Sequence, residues 1–491
     1  MAEKEDIKSV SDSFCGPEKY FASKTTCGGV SYWCGGIHKT QKFAWVIIVL
    51  GLTAGLAFQV FLRISAYLSY AATRQTTVKF TSEIEFPAVT ICNFNRYFGL
   101  ISAREVSAVH TLNRLTSPQV YSDLANSSTG FDSSPLSYFN DSFSVTSYLT
   151  QKGYPLDSSP ILIHCMFQSK PCTAADFTPV ITRMGKCYTF NKSRSIQNVA
   201  GSGQGLLFIL IVLHSLYTEE PLHGEIEAGI RFQLHSKFEP PEVHKYGVGI
   251  PTGMKAFSTI QRTETSLVES PWGKCNPGTQ RNLKYFDTYT LSSCVQECFT
   301  DHLVERCGCR TFEQYWASDV PECSIEQMLN CSTAYVAEME RTLTPDSCSC
   351  NLPCKFTTYG VTTSYATAPN FPTRNAIQTL IHNNDVAFVG DNFVGLDISY
   401  AVIGYTKVEQ FKAIDESALL SDIGGQLGLW LGMSFVTLLE LFQYVIIRCT
   451  AWFKKFKRKK KTSKMKEQKL QAVKAWHMEN PNKAQQINGI S

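Results

Sequence analysis

Two carboxylates mark an apolar run near the end of the chain: Asp422 at its start and Glu440 inside it. Between them Gly424, Gly428 and Gly432 recur every fourth residue, which on an α-helix gathers them into one stripe. Small residues in a stripe let backbones approach closely, so a helix-packing face is the plain reading. The carboxylates point further, because an ionised group inside a membrane is costly unless it faces water or a partner. Gly432-Met433-Ser434 can offer backbone carbonyls or a hydroxyl at a narrow point. Acidic groups and bare backbone oxygens along one face suit the passage of a cation. One helix cannot enclose a pore, so this chemistry calls for symmetric assembly around an axis. Enzyme chemistry finds no foothold: there is no Gly-rich phosphate loop, no HExxH and no GxSxG, and the ten histidines are scattered. No cofactor is expected.

The elements that must carry these residues are two membrane spans. Phe43 to Leu62 is 20 residues without a charge, with Gln59 as its strongly polar side chain. At about 1.5 Å per residue that crosses a hydrocarbon core of about 30 Å. Ile423 to Ile447 is similar and holds the single charge of Glu440. Buried core helices of a soluble protein are the alternative, but helices this long usually keep a polar stripe. The first run follows too many polar residues to be a cleaved signal peptide and reads as a signal anchor. Lys39 and Lys42 precede the first span, and a cluster from Lys454 to Lys461, extended by Lys464 and Lys466, follows the second. Both flanks read as cytosolic. The basic cluster can also attract anionic lipids of the cytoplasmic leaflet. A net charge of +4 gives no reason to expect nucleic acid as a partner.

Asn126, Asn140, Asn191 and Asn330 open N-x-S/T glycosylation sequons, all between the spans. Of 18 cysteines, 14 lie there too, and ten of those fall between Cys275 and Cys354. An even, clustered set beside sequons reads as an extracellular disulfide framework. Zinc ligation by Cys307-x-Cys309 and Cys348-x-Cys350 is the competing reading, which an oxidising compartment disfavours; no metal is expected. Sequence alone does not choose the connectivity. The expected order is a cytosolic tail (1–42), a first span (43–66), an extracellular domain (67–420), a second, pore-lining span (421–447) and a basic cytosolic tail (448–491). Within the extracellular domain, Phe86 to Cys92, Gly205 to Leu213 and Ala228 to His235 read as strands. The stretch from about Leu100 to Ile163 reads as peripheral, with helical pieces among Ser- and Asn-rich loops, residues 275–354 as a stapled helical module, and Val361 to Gln410 as strand-like.

Four motifs in order now carry a resemblance. Gly428-x-x-x-Gly432-x-Ser434 followed by Glu440-Leu-Phe closely resembles the pore helix of the degenerin, epithelial sodium channel and acid-sensing channel family, the amiloride-sensitive sodium channels. Phe86-Pro-Ala-Val-Thr-Ile-Cys-Asn93 is similar to its post-span strand, Gly185-Lys-Cys-Tyr-Thr-Phe-Asn191 to its palm motif, and Ser270-Pro-Trp-Gly-Lys-Cys275 to the start of its thumb. The match runs from about Phe21 to Tyr444.

The resemblance implies an α+β membrane protein: two transmembrane helices flanking a large disulfide-rich extracellular domain, with a central β-sheet palm and a helical thumb, assembled as a trimeric channel. It implies the pairs Cys92–Cys187, Cys165–Cys172, Cys275–Cys354, Cys294–Cys350, Cys298–Cys348, Cys307–Cys331 and Cys309–Cys323. Gly432, Met433 and Ser434 match the selectivity element, where the pore helix breaks into an extended stretch. Ser421 matches a position where bulky residues hold relatives open, and Asp422 an acidic outer constriction. Tyr70 and Trp272 match an aromatic pair coupling the extracellular domain to the first span at the wrist. Gly29 matches the glycine of a re-entrant segment lining the lower pore.

The chain also departs from the pattern. Gly28 replaces the usual His before Gly29, Gln443 stands where acid sensors have Asp, and Met433 replaces a small residue. Ala72 and Val199-Ala200 replace a His and a Lys of acid sensors, and Lys237-Phe238-Glu239 offers one carboxylate where paired acids are expected. Proton sensing needs carboxylates crowded enough to raise their pKa. The expectation is therefore a trimeric, ligand-gated, sodium-preferring cation channel of the plasma membrane, blocked by amiloride. A neuropeptide or other extracellular ligand is favoured over the proton as its opening stimulus. The alternative is a non-conducting two-pass adhesion or receptor subunit.

Overall fold

The computed structural model describes residues 21, 25, 38–99, 102–116, 132–140, 142–158, 161–190, 195–218, 226–278, 282–381 and 386–479. The chain divides into two compact units, one of Ala72–Lys412 and one of Met1–Ala71 with Ala413–Ser491. Gly29, Asn126 and Asn191 lie outside the described residues.

The larger unit is built on an eight-stranded mixed sheet. Leu206–Ile211 sits inside it, antiparallel to both Phe393–Tyr400 and Leu162–Phe167. An interior place is what its compact apolar run requires, and Leu206, Phe208 and Leu210 are fully buried. Met254–Ser266 runs parallel to Phe393–Tyr400 and to Gly404–Lys412, and pairs Lys355–Thr367 along its full length. A second sheet of five strands holds Ala88–Asn93, buried at every residue, between Gly229–His235 and Gly185–Phe190. One apolar core, including Phe86, Phe190, Phe208, Phe232 and Tyr400, is shared by strands of both sheets.

Two expectations need correction. The stretch after Leu100 is not wholly peripheral: Val109 and Leu112 of helix Ala103–Thr116 join Val145, Leu149, Phe312 and Met328 in a second core. The helical pieces expected there include this amphipathic one. Between Val361 and Gln410 the strand pattern is interrupted by helices Phe371–Ile381 and Val386–Asn392. Asn370 opens the first of them, its Oδ1 accepting from the Thr373 amide at 3.0 Å, as an N-cap does.

The helical module centres on Leu291–Cys307, started by a reciprocal Thr290–Ser293 capping box and stopped by left-handed Gly308 (φ 69°). Its disulfides join Cys275–Cys354, Cys294–Cys350, Cys298–Cys348, Cys307–Cys331 and Cys309–Cys323. Cys92–Cys187 and Cys165–Cys172 bridge the sheets' strands and their turns. Asn140 and Asn330 are both exposed, as a glycosylated side chain must be.

In the smaller unit the first-span helix is Lys39–Leu68, with Phe43–Leu68 apolar enough to cross a bilayer (mean hydropathy 2.2). The expected second span, 421–447, falls on two helices. A leading helix, Glu416–Leu431, starts five residues earlier because Asp415 caps it, Oδ1 accepting from the Ala418 amide at 2.6 Å. After a three-residue break, a trailing helix runs from Phe435 to Glu479 and carries the basic cluster as helix.

Candidate ion-conducting site

The break at residues 432–434 is built by two opposite cap chemistries. Gly432 takes a left-handed conformation (φ 62°), and its amide and that of Met433 reach back to the carbonyls of Gly428 (3.0 Å) and Leu427 (3.3 Å). Such an end suits glycine, which bears no Cβ penalty there. Ser434 then caps the trailing helix. Thr437 donates its amide to Ser434 Oγ at 3.4 Å, and the Ser434 amide donates to Thr437 Oγ1 at 3.2 Å. Thr437 itself is fully buried. The last carbonyls of the leading helix are left outside intrahelical bonding, at the negative end of its dipole. Carbonyls so placed can coordinate a partly dehydrated cation. The extended stretch implied by the resemblance is thus only three residues long.

Three contacts zip the leading helix antiparallel to the first span. The Trp430 ring lies 3.0 Å from where a Cβ on Gly55 would stand, Arg63 and Asp422 form an ion pair at 3.6 Å, and Tyr67 Oη donates to Glu416 Oε1 at 3.3 Å. From Gly55 to Arg63, and from Trp430 back to Asp422, is the same eight residues. Trp430 Nε1 also donates to Gln426 Oε1 at 3.0 Å. Residues 422, 426 and 430 therefore share one face, half-buried against the first span. Gly424, Gly428 and Gly432 are displaced from that series by two residues, about 200° around a helix. Ser421 and these three glycines are exposed, and a Cβ on Gly424 or Gly432 would meet nothing within 4 Å. Here the sequence reading needs amending: Asp422 and the glycine stripe do not share a face, since Asp422 turns to Arg63. Arg63 was missed because a lone arginine at a span's end reads as a topology signal; its match to Asp422 needs the pairing register.

Reversing one charge, by Arg63→Asp or Asp422→Arg, is expected to lower the thermal stability of the purified protein. The double swap is expected to recover it, with a coupling of about 0.5–1 kcal/mol for a pair this exposed. Additive effects in that double-mutant cycle would mean the two side chains do not act on one another.

Glu440 is half-buried in the trailing helix, and one turn on, the Tyr444 ring stacks on Phe21 with centroids 4.4 Å apart. Phe21 thus stands against the helix that carries Glu440. Met433 is half-buried and Gln443 exposed. Tyr70 ends the first span in a left-handed conformation (φ 51°), uncommon for so bulky a residue, and belongs to the smaller unit. Trp272 belongs to the larger unit, where Lys412 Nζ sits 4.0 Å from its ring centroid.

In the larger unit, carboxylate crowding near Lys237-Phe238-Glu239 exceeds what the sequence showed. Burial, with Glu242 beside it, pushes the Glu239 carboxyl up from its ordinary value. Glu242 is buried and fully engaged, accepting from Ser292 Oγ (2.5 Å), Gln296 Nε2 (2.8 Å) and Lys245 Nζ (3.1 Å). The second acid lies three residues downstream rather than adjacent, behind two prolines, so spacing alone did not pair them. Nearby His244 is driven the other way, down to about 3, first by burial and then by Arg183, Lys245, Arg231 and Arg96.

A histidine held neutral in the fold but free to protonate when unfolded makes acid destabilising. The His244 contribution is complete above pH 6.5 and is lost as pH falls from there toward about 3. Glu239 works oppositely, because its raised pKa lets the folded state bind the extra proton. His244→Gln is therefore expected to flatten the fall in thermal midpoint between pH 7 and 5, and Glu239→Gln to steepen it. Parallel pH curves for wild type and both variants would contradict this assignment.

The family described as amiloride-sensitive sodium channel matches residues 21–444. The bile acid-sensitive ion channel of Mus musculus is 32% identical over 451 residues, covering 86% of each chain. That of Homo sapiens is 32% identical over 443 residues, covering 87% of this chain and 85% of its own. Acid-sensing ion channel 1 of Gallus gallus is 31% identical over 449 residues, covering 86% and 82%. With two apolar helices bracketing a disulfide-stapled β-rich middle and relatives matched along most of its length, this chain belongs to the amiloride-sensitive sodium channel family, a family of ion channels and not of enzymes.

Proposed function

We propose that the chain is the subunit of a trimeric, ligand-gated, sodium-preferring and amiloride-sensitive cation channel of the plasma membrane, with both termini cytosolic. One observation carries the reading. The leading helix packs one face on the first span and leaves the opposite face, with Ser421, Gly424, Gly428 and Gly432, open. A glycine face with nothing on it in one copy suits an axis shared by several. It leads to a helix break whose carbonyls and dipole favour cations.

The opening stimulus is an extracellular ligand, with a peptide preferred. Relatives are named for sensitivity to bile acids and to acid, so an amphipathic steroid acid and the proton are the other stimuli to try. The basic trailing helix, with Trp452, Phe453 and Phe456 exposed among its first lysines, suits an anionic cytoplasmic leaflet.

The test is expression in oocytes with Ser421→Trp. A standing sodium current blocked by amiloride is expected. Confirmed surface protein without such current would leave only the non-conducting receptor reading.

A further inference from the structure

The trailing helix outruns any bilayer. It is unbroken from Phe435 to Glu479, with no glycine or proline in that length, and sharp kinks rarely arise without one. The apolar run ends at Ile447, and 32 more helical residues follow it. A helix continuous with a span points away from the membrane, so its lysines recede from the leaflet. At 1.5 Å per residue Lys464 stands about 26 Å beyond Ile447 and Lys469 about 33 Å. Even with a tilt of about 40°, both lie more than two Debye lengths of about 8 Å away. The anionic leaflet accounts for the first cations of the helix and leaves the distal ones without a counterpart.

From Lys454 to Lys474 the helix carries eleven cations against the single carboxylate of Glu467. Copies of it cannot bundle about an axis, because like charges repel and the apolar residues lack heptad spacing. The partner must be anionic, and the apolar residues narrow its kind. Trp452, Phe453 and Phe456 are exposed at one end, with the Trp452 and Phe456 rings stacked at 5.8 Å between centroids. Met465 and Leu470 are exposed at the other. No apolar residue lies between Phe456 and Met465. A plain polyanion answers the charge but leaves Met465 and Leu470 in water. Trp452 and Met465, 13 residues apart in the sequence, stand about 20 Å apart along the helix and about 220° around it. One flat surface cannot cover both; a partner that closes around the helix can, with an apolar groove for each end and carboxylates between. Acidic proteins that expose methionine-rich grooves on binding calcium have this form.

We propose that residues 452–470 are the docking site of an acidic, calcium-loaded, two-lobed protein that closes around the helix. The inference rests on the cytosolic placement of this tail proposed above. The occupied helix is the one that carries Glu440, so cytosolic calcium gains a route to the second span.

The experiment titrates the purified full chain with fluorescently labelled calmodulin as the probe. The chain is held in nanodiscs of phosphatidylcholine, with and without phosphatidylserine. Half-saturation at about 1 µM or below is expected in calcium, and at a concentration about a hundredfold higher or more in a calcium chelator. Phe456→Gln and Met465→Gln each remove an anchor from one end, and each is expected to weaken binding about tenfold or more. Both side chains are exposed, so neither substitution disturbs a core. Equal binding with and without calcium, or wild-type binding by both variants, overturns the proposal. Loss of binding on adding phosphatidylserine also overturns it, because the helix then belongs to the leaflet. An epitope tag after Ser491 separates this failure from that of the topology. A tag stained only in permeabilised cells, with no calmodulin bound by the purified chain, sinks the docking site alone. A tag stained on intact cells sinks the cytosolic tail and the docking site together.

Discussion

Gly432→Val is expected to abolish amiloride-sensitive current while leaving the protein at the cell surface. Gly432 is the residue on which the second span breaks, and its φ of 62° is what turns the chain from one helix to the next. An L-residue there pays about 1–2 kcal/mol, and a β-branched one has no comfortable left-handed well. Space is not the obstacle, since a Cβ would meet nothing within 4 Å. The penalty falls on the backbone, and the relief open to it is to straighten the break and withdraw the carbonyls into helical bonding. Gly432→Asn should then conduct much better than Gly432→Val, because Asn tolerates this conformation. Gly51→Ala, in open surroundings on the first span, should be neutral. Currents compared with surface labelling decide it: full conduction by Gly432→Val removes the break from the mechanism.

The second large effect is on folding. Cys294 and Cys350 are buried, and their bridge packs among Leu283, Tyr289, Leu291, Val295 and Leu343. In this module the disulfides are the core, so their loss removes both cross-link and apolar contact. Replacing both cysteines by serine is expected to cost about 2–4 kcal/mol and to strip most of the protein from the surface. Losing Cys165–Cys172, which closes only seven residues, should cost less. Thermal midpoints of the purified variants, with surface labelling, give the comparison. Equal midpoints would mean the module does not depend on its staples.

Much of this was legible in the sequence, and for particular reasons. Glycines four apart announce a helix face whatever surrounds them, and the run from Leu206 to Ile211 announces an interior strand. The Cys275 to Cys354 cluster announces a stapled module, although the pairing came only through the resemblance. What stayed hidden depends on register. Asp422 looked like part of the glycine face because both lie in one span; the two-residue offset matters only once the first span is laid against residues 422, 426 and 430. Arg63 was invisible for the same reason. Glu239 looked like a lone acid, and the turn that brings Glu242 beside it shows only in the fold.

The central claim is that the Ser421–Gly432 face of the second span lines the cation path and the Asp422–Trp430 face does not. Cysteine accessibility addresses it most directly. A membrane-impermeant cationic thiol reagent, applied outside, is predicted to change the amiloride-sensitive current of Ser421→Cys, more slowly when amiloride is present. Gln426→Cys should be insensitive, as should the wild type with its exposed Cys449. Modification of Gln426→Cys with Ser421→Cys untouched would put the path on the other face and contradict the account.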